Sequence, residues 1–291
     1  MLLLFMLLMF QEAPMPLDEL GLSHLFFATQ KEDVVLFHGT KPGGVQIPLY
    51  LYSFKTKQVR EIKDGRIKAM MPHLATDEDG FMLINIVGSV FLDKLNTDGS
   101  YRETIRLDGV IPPGERIKFV QSTPQGLWVN ISRTDHIRLA VLDPAQKSLV
   151  TLADIPREED HARLLFQLEG QTYRITEETG EIVRLNAAFQ PDEVLVRGMD
   201  PVEKKRRSRS RYYGVLSAPI MGEGFVSLRH VRVRDAFGNL LEEPGPGAVL
   251  LTRRGVKNLD YRILGEHAGA LLVFDPSEMT FSEMRKPDGL F

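Results

Sequence analysis

A basic run at residues 203–213, EKKRRSRSRYY, is the segment of the sequence with the clearest chemical character. It places six cations and two tyrosines in eleven residues of a chain whose formal net charge is -3. Lysine and arginine neutralise phosphates and tyrosine rings stack on bases, so the run has the chemistry of an anion-binding segment. A block of like charges is also typical of a solvated loop, which is our main interpretation. The candidates for contacting an acidic partner are Arg206, Arg207, Arg209 and Arg211.

The positive charge of this run is local. Residues 197–234 contain ten Lys/Arg and three Asp/Glu, so this segment carries +7 while the rest of the chain carries -10. If the run binds a partner, an anionic protein, glycan or lipid surface is expected before nucleic acid, because the chain as a whole is acidic. Nucleic acid is the alternative partner for an intracellular protein.

A second group with ligand chemistry lies in the segment PHLATDEDG, which contains His73, Asp77, Glu78 and Asp79. Imidazole and carboxylate groups bind zinc or a hard cation when a turn gathers them. An EF-hand is excluded, because Gly88 stands where the last acidic ligand of such a loop belongs. A turn with surface charges accounts for the segment without a metal, and this is what we expect.

The remaining chemistry-bearing residues form no recognisable motif. The chain has no cysteine, which excludes disulfides, thiolate zinc sites and cysteine nucleophiles. It has no G-x-S-x-G, Walker, H-E-x-x-H or dinucleotide fingerprint. The other histidines are scattered without metal-ligand spacing: His24, His38, His136, His161, His230 and His267. We therefore predict no catalytic residue and no cofactor, leave the metal content open, and favour a protein that is not an enzyme.

The elements that would position these residues repeat along the chain. In residues 75–109, Asp79-Gly80 is a turn before the strand FMLINI, and residues 97–100 join VFLDKL to YRETIRL. Similar hairpin tips recur near residues 56, 98, 145, 178, 238 and 277, with an average spacing close to 44 residues. The single tryptophan, Trp128 in LWVNI, is expected to pack between two such units.

A period in the forties, with several short strands in each unit, is typical of a β-propeller blade of four antiparallel strands. Amphipathic helices are nearly absent after residue 24, which disfavours α/β folds. The sequence therefore predicts an all-β protein, a single β-propeller domain over residues 14–291. Counting hairpin tips gives six blades, with five and seven as alternatives.

The segment DEDGFMLIN…VFLDKLNTDGSYRETIRL, residues 77–107, resembles the repeat of NHL-like and TolB-like six-bladed propellers, and residues 120–152 resemble it in part. The resemblance implies either a binding platform or a sugar-lactone hydrolase with a metal in the central channel. No regular spacing of Glu, Asn and Asp identifies the metal ligands of such a hydrolase. Our main expectation is thus a non-enzymatic propeller that binds a ligand or protein through loops on one face. A metal-dependent hydrolase or lactonase is the alternative, and an intracellular scaffold or nucleic-acid-binding propeller is the second.

The N-terminal segment MLLLFMLLMF is ten apolar residues long, about half of what a helix needs to cross a bilayer. This is the length of a signal-peptide core, and residues 11–16, QEAPMP, break the helix where cleavage would occur. We expect residues 1–13 to act as an export signal and the protein to be secreted or periplasmic. The alternative is a cytoplasmic protein in which this segment is an anchor or a buried first element. No transmembrane span and a monomeric state are expected.

Overall fold

The computed structural model describes residues 15–22, 24–41, 47–67, 72–85, 90–132, 136–156, 163–176, 179–197, 216–222, 224–230, 248–276 and 278–291. In these ranges the chain consists of β-strands and turns with one short 3-10 helix, Leu17–Leu20. The prediction of an all-β protein is confirmed. The same ranges contain no helix of the length and apolar character required to cross a membrane.

The strands are short and follow one another closely. In chain order they are β1 Met15–Pro16, β2 His24–Lys31, β3 Val34–Thr40, β4 Leu49–Ser53, β5 Gln58–Ile62, β6 His73–Thr76, β7 Gly80–Asn85, β8 Phe91–Asn96, β9 Tyr101–Arg106, β10 Arg116–Thr123, β11 Gly126–Ser132, β12 His136–Asp143, β13 Ser148–Pro156, β14 Arg163–Leu168, β15 Gln171–Thr176, β16 Glu181–Leu185, β17 Pro191–Val196, β18 Leu216–Gly222, β19 Phe225–His230, β20 Ala248–Thr252, β21 Gly255–Leu259, β22 Arg262–His267, β23 Ala270–Asp275 and β24 Thr280–Arg285.

Four sheets have four antiparallel strands each, in the orders β6-β7-β8-β9, β10-β11-β12-β13, β14-β15-β16-β17 and β1-β24-β23-β22. A further sheet has eight strands, in the order β21-β20-β19-β18-β2-β3-β4-β5. Its two halves are each an antiparallel run of four strands, and they join through a single parallel pair, Met221 with Thr29. This arrangement of repeated antiparallel sheets is a β-propeller, as the sequence predicts at the level of fold class.

The hydrophobic core lies between the sheets. One cluster joins Leu36 and Leu51 of the β2-β5 strands to Phe81 and Leu83 of the next sheet. Comparable clusters lie between the following sheets along the chain, and one of them contains Trp128, which is 2% exposed, as the sequence predicts. A last cluster joins the β2-β5 strands to β23 and β24, so the final sheet packs on the first strands of the chain.

Burial on both faces explains why some strands show little alternation of apolar and polar residues. Strand β7 is buried at all six positions and β20 at all five, because each is a middle strand covered by a neighbouring sheet on both faces. By contrast the first four residues of the outer strand β17 are exposed. In these sheets the middle strands are therefore buried, whereas the outer strand β17 is mostly exposed.

The predicted hairpin tips near residues 56, 98 and 145 are turns between consecutive strands. Gly99 has a φ of 74°, and a Cβ atom there would lie 2.5 Å from the Leu51 Cδ1 atom, so this turn requires glycine. The tips near 145 and 178 are not equivalent, because the first joins the third and fourth strands of its sheet and the second joins the second and third. This difference explains why the two tips are only 33 residues apart in the sequence.

Strand β1 completes the last sheet from the other end of the chain. Met15 pairs with Phe281 and Pro16 with Thr280, so the N-terminal strand lies outside β24 as its antiparallel neighbour. Met15 also packs against the buried cluster that joins the first and last strands. The sheet that ends the chain is therefore made of strands from both ends of the described residues.

Candidate active site in the central channel

The first strands of several sheets surround a cavity of about 290 Å³. Its lining residues come from β2, β6, β10 and β18 and from the turn after β2: Phe27, Ala28, Thr29, Gln30, Lys31, Glu32, His73, Leu74, Ala75, Thr76, Phe119, Val120, Gln121, Ser122, Pro219, Met221 and Gly222. Ligand pockets in proteins have volumes of about 300 Å³ and more, so this space suits a small molecule. Since first strands line the channel of a propeller, this cavity is the candidate site.

Bulges shape three of the four strands that line the cavity. The pairing register shifts between Leu25 and Ala28 in β2 and between Ile117 and Phe119 in β10. Strand β18 has a shift of the same kind between Ser217 and Ile220. A bulge turns side chains away from their regular direction, and bulges are frequent beside active sites. Here they bring irregular backbone, including that of Phe27, to the cavity wall.

His73 begins strand β6 and lines the cavity with an exposed fraction of only 5%. The pKa of His73 is lowered to about 3, mainly by burial, and electrostatic interactions with His38 and Lys118 contribute in the same direction. A hydrogen bond to the backbone of Ile117 acts in the opposite direction but is the weaker effect. The imidazole of His73 is therefore neutral at neutral pH.

The hydrogen bonds of His73 fix where its single proton lies. Among the residues that the structure describes, the Nε2 atom has no hydrogen-bond partner. The backbone of Ile117 thus meets the other ring nitrogen, Nδ1, which donates to it. A neutral imidazole with its proton on Nδ1 has a lone pair on Nε2. This acceptor has almost no exposed surface in the structure, so a donor reaches it only when the surrounding side chains move.

His38, on β3, lies beside His73 and is 1% exposed. Its Nε2 atom donates to the Pro72 carbonyl oxygen at 2.9 Å, and its Nδ1 atom has no partner within the described parts of the chain. Burial lowers the pKa of His38 to about 4, against the opposing effect of the Pro72 hydrogen bond. The ring of Phe27 contacts both imidazoles, with centroids 5.5 Å from His38 and 5.1 Å from His73.

Other polar side chains of the cavity wall hold neighbouring sheets together. The Gln121 side chain accepts from the Gln167 amide at 2.7 Å and donates to the carbonyl oxygen of the same residue. Gln30 makes the same pair of hydrogen bonds with Glu266. Ser122 accepts from the Thr76 amide at 2.9 Å and donates to the Thr76 carbonyl oxygen. These three side chains have structural roles, and among the titratable residues of the wall His73 is the buried one, which makes it our candidate for chemistry.

The two parts of the predicted His-and-carboxylate group lie apart. His73 starts β6 and Asp77 follows its end, about 13 Å away along an extended chain. The Asp77 carboxylate accepts from the Asp79 and Gly80 amides at 3.0 and 2.8 Å, and Arg102 pairs with Asp79 at 2.6 Å. The acidic segment is a turn with surface charges, as predicted.

The donor atoms of the cavity do not fit the metal that the lactonase resemblance implies. Glu32 is the one carboxylate among the lining residues, and a hard cation such as calcium takes six to eight oxygen ligands. Across the described ranges, no group of three or more His, Asp or Glu residues comes together. We therefore derive no reaction step through a metal at this site.

The sequence did not predict that His38 and His73 lie close together. We expected no histidine cluster, because the histidines are scattered along the sequence without metal-ligand spacing. The two residues come close because His38, near the end of β3, is hydrogen-bonded to Pro72, the residue before β6. The available signal was positional: a histidine near the end of one unit's second strand and another at the start of the next unit. The four arginines at 206, 207, 209 and 211 lie outside the described residues, and their role stays a prediction.

No family model matches the chain, and no curated protein matches it. The chain is similar to a solved luciferin-regenerating enzyme, with 14% identity, 95% of each chain covered and a TM-score of 0.55. It is also similar to a calcium-binding protein, regucalcin, from Agrobacterium tumefaciens, with 15% identity, 94% of this chain and 93% of that chain covered, and a TM-score of 0.51. A periplasmic gluconolactonase from Pseudomonas aeruginosa matches 90% of this chain and 85% of its own chain at 14% identity, with a TM-score of 0.46. The first two likenesses support the propeller fold.

The comparisons contradict our main functional expectation. A solved structure that matches 95% of this chain is described as an enzyme. The expectation of a propeller that binds without chemistry is therefore wrong. Sequence reasoning erred because it took the lack of recognisable ligand spacing as a sign against catalysis, although a site can be assembled from distant residues.

Proposed function

We propose that the protein is a hydrolase of the lactonase kind, with its substrate bound in the channel cavity. The observation that carries the proposal is the neutral His73 imidazole, a residue of the cavity wall whose Nε2 atom has no hydrogen-bond partner among the described residues. The similarity over nearly the full chain to a propeller described as an enzyme supports it. The chemistry assigned below uses only side chains of this chain.

Lactone hydrolysis adds water to the carbonyl carbon and breaks the ring carbon–oxygen bond. One proton of the water must reach the oxygen that leaves. The His73 Nε2 lone pair would accept a hydrogen bond from the attacking water, take its proton, and return it to the leaving ring oxygen. No net proton or electron is gained or lost. Burial lowers the pKa of His73 to about 3, so at neutral pH the imidazole is in the neutral form that can accept a proton, and the same shift makes it a weaker base than an exposed histidine.

The test is turnover of a lactone panel by the purified protein, with His73→Leu as the variant. Leucine keeps an apolar side chain against Phe27 but removes both ring nitrogens. We expect kcat to fall about 10²- to 10⁴-fold, the usual range for loss of a proton-transfer group. His267→Gln is the matched control, since His267 lies at the end of β22 beside Phe54 and does not line the cavity. Its activity should equal that of the unchanged protein.

Three outcomes would contradict the proposal. Folded protein that hydrolyses no member of the panel would remove the hydrolase assignment. Full activity in His73→Leu would remove His73 from the reaction. Turnover that is lost on chelation and restored by a metal would show that ligands outside the described residues do the chemistry instead.

We also propose that the propeller has six blades. The eight-stranded sheet counts as two blades in this proposal, because a single residue pair joins its halves and each half is a complete run of four antiparallel strands. The first strands β2, β6, β10, β14, β18 and β22 begin 43 to 53 residues apart, which agrees with one repeat for each. Membership of the NHL-like or TolB-like kind stays a prediction.

Export through residues 1–13 stays a prediction as well, since these residues lie outside the described ranges. Sequencing of the mature N-terminus tests it. A chain that begins near residue 14 is the expected result, and an intact Met1 in the soluble fraction would contradict it.

A further inference from the structure

We propose that His38 is a positioning residue that holds the His73 imidazole in place through the carbonyl group of Pro72. The meaning of this arrangement for catalysis rests on the proposed function above. The positioning itself does not, and the experiment below separates the two.

A hydrogen bond joins His38 to Pro72, the residue before His73. The His38 Nε2 atom donates to the Pro72 carbonyl oxygen at 2.9 Å in a buried setting. That oxygen belongs to the peptide unit whose nitrogen is that of His73, and a peptide unit is planar. Holding the oxygen therefore fixes the plane from which the Cα atom of His73 departs. Proline also fixes its own φ, so residue 72 adds little freedom.

The Phe27 ring packs against both imidazoles. It is tilted 45° to His38 and stands edge-on, at 65°, to His73. Phe27 belongs to the bulge of β2, and it packs against the buried cluster between the first strands and the sheet of β6. Phe27 therefore packs against both imidazoles and links their positions.

His73 also donates a hydrogen bond to the backbone of Ile117, on β10. His73 is held from one side by β10 and, through Pro72, from the other side by β3. A metal-binding or catalytic imidazole needs such a fixed orientation and tautomer before it can present the other nitrogen to a ligand. His38 supplies the half of this support that comes from the neighbouring strand group.

The experiment compares His38→Gln with His38→Leu in the full chain. The glutamine amide reaches about as far as the imidazole Nε2–H and still donates, whereas leucine fills the space without a donor. The first readout is the ¹⁵N spectrum of the His73 ring, which reports its tautomer and its titration. Besides His38, the charged group that acts on His73 is Lys118, which both variants retain.

We expect His38→Gln to keep the Nδ1–H tautomer of His73 and His38→Leu to show a mixture of tautomers. On a lactone that the protein hydrolyses, His38→Leu should lower kcat about tenfold with KM changed less than twofold, and His38→Gln should restore most of the rate. If His38→Leu does not fold, His38→Asn, whose amide is too short to reach Pro72, takes its place.

An unchanged His73 spectrum in His38→Leu would overturn the positioning role, whatever the activity. A changed spectrum in a protein that hydrolyses no lactone would leave the positioning role intact and would count against the proposed function alone. Equal losses of kcat in the leucine and glutamine variants would also contradict the proposal, since only one of them lacks the donor.

Discussion

At the scale of single residues, His38 and His73 link stability to pH. Burial lowers the pKa of His38 to about 4 and that of His73 to about 3, below the ordinary value of 6.5 that both have in the unfolded chain. The unfolded chain therefore binds more protons than the folded one as the pH falls below about 6.5. The contribution of the two neutral histidines to the free energy of unfolding is complete above pH 6.5, and it is lost progressively as the pH falls toward 4 and 3.

We expect the free energy of unfolding to fall by up to about 1.4 kcal/mol per pH unit for each imidazole between pH 6 and pH 4. Urea unfolding at pH 7.5, 6.0, 5.0 and 4.5 measures this dependence. The double variant His38→Gln with His73→Leu should flatten the curve over this window, whereas His267→Gln should leave it unchanged. A curve of the same steepness in the double variant would show that other groups cause the acid sensitivity.

The residues of the candidate site were hard to predict for a physical reason. His38 and His73 lie on strands of different sheets, so their proximity depends on how the sheets pack. Short sequence patterns, by contrast, report the turns and strand pairing within a single hairpin. The segment of Asp77 to Gly80 is local in this sense, and its interpretation as a turn was correct. Site residues that meet across sheets carry no comparable local signal.

At the scale of elements, buried amide side chains join one sheet to the next. Asn130 on β11 is fully buried, and it donates to the Leu165 carbonyl oxygen at 2.8 Å and accepts from the Leu165 amide at 2.7 Å. Gln121 and Gln30 make the same two-bond contact from the cavity wall. The side chain takes the place of a backbone partner that the edge of a first strand would otherwise lack.

Asn130→Ala should destabilise the protein by about 2–4 kcal/mol, because it leaves one buried donor and one buried acceptor without partners. Chemical unfolding at pH 7.5 measures the change. Asn258→Ala is the matched control, since Asn258 is exposed on the outer strand β21 and its replacement should cost less than about 0.5 kcal/mol. Equal costs for the two variants would show that this contact does not hold the sheets together.

At the scale of the whole molecule, the ring is closed by β1. Met15 packs on the core between the first and last strands, and the Leu20 carbonyl oxygen accepts a hydrogen bond from the Tyr50 hydroxyl group. A chain that starts at residue 21 should lose a few kcal/mol of unfolding free energy relative to one that starts at residue 14, since both contacts and the edge pairing of β24 disappear. Thermal unfolding of the two chains tests this, and coinciding curves would refute it.

The propeller fold was predictable because its repeat consists of local hairpins. Their turns have recognisable sequences, as at residues 97–100. The closure was not predictable, because Met15 and Pro16 are two residues long as a strand and show no alternation. The boundaries of the repeat were also hard to predict, since the middle strand β20 is buried at every position and shows no alternation of apolar and polar residues. Patterns within a unit were therefore informative, while relations between units required the structure.

The pairing of β1 with β24 has a consequence for biosynthesis. The ribosome adds about 5–20 residues each second, and β24 begins 264 residues after β1 ends, so β1 waits for its partner strand for roughly 13 to 53 seconds. The sheets between them can form one after another during translation, but the sheet of β22 to β24 stays incomplete until β1 and β24 pair. Closure of the ring therefore cannot precede the synthesis of β24, and until then β1 lacks its partner strand and is open to pairing with other chains.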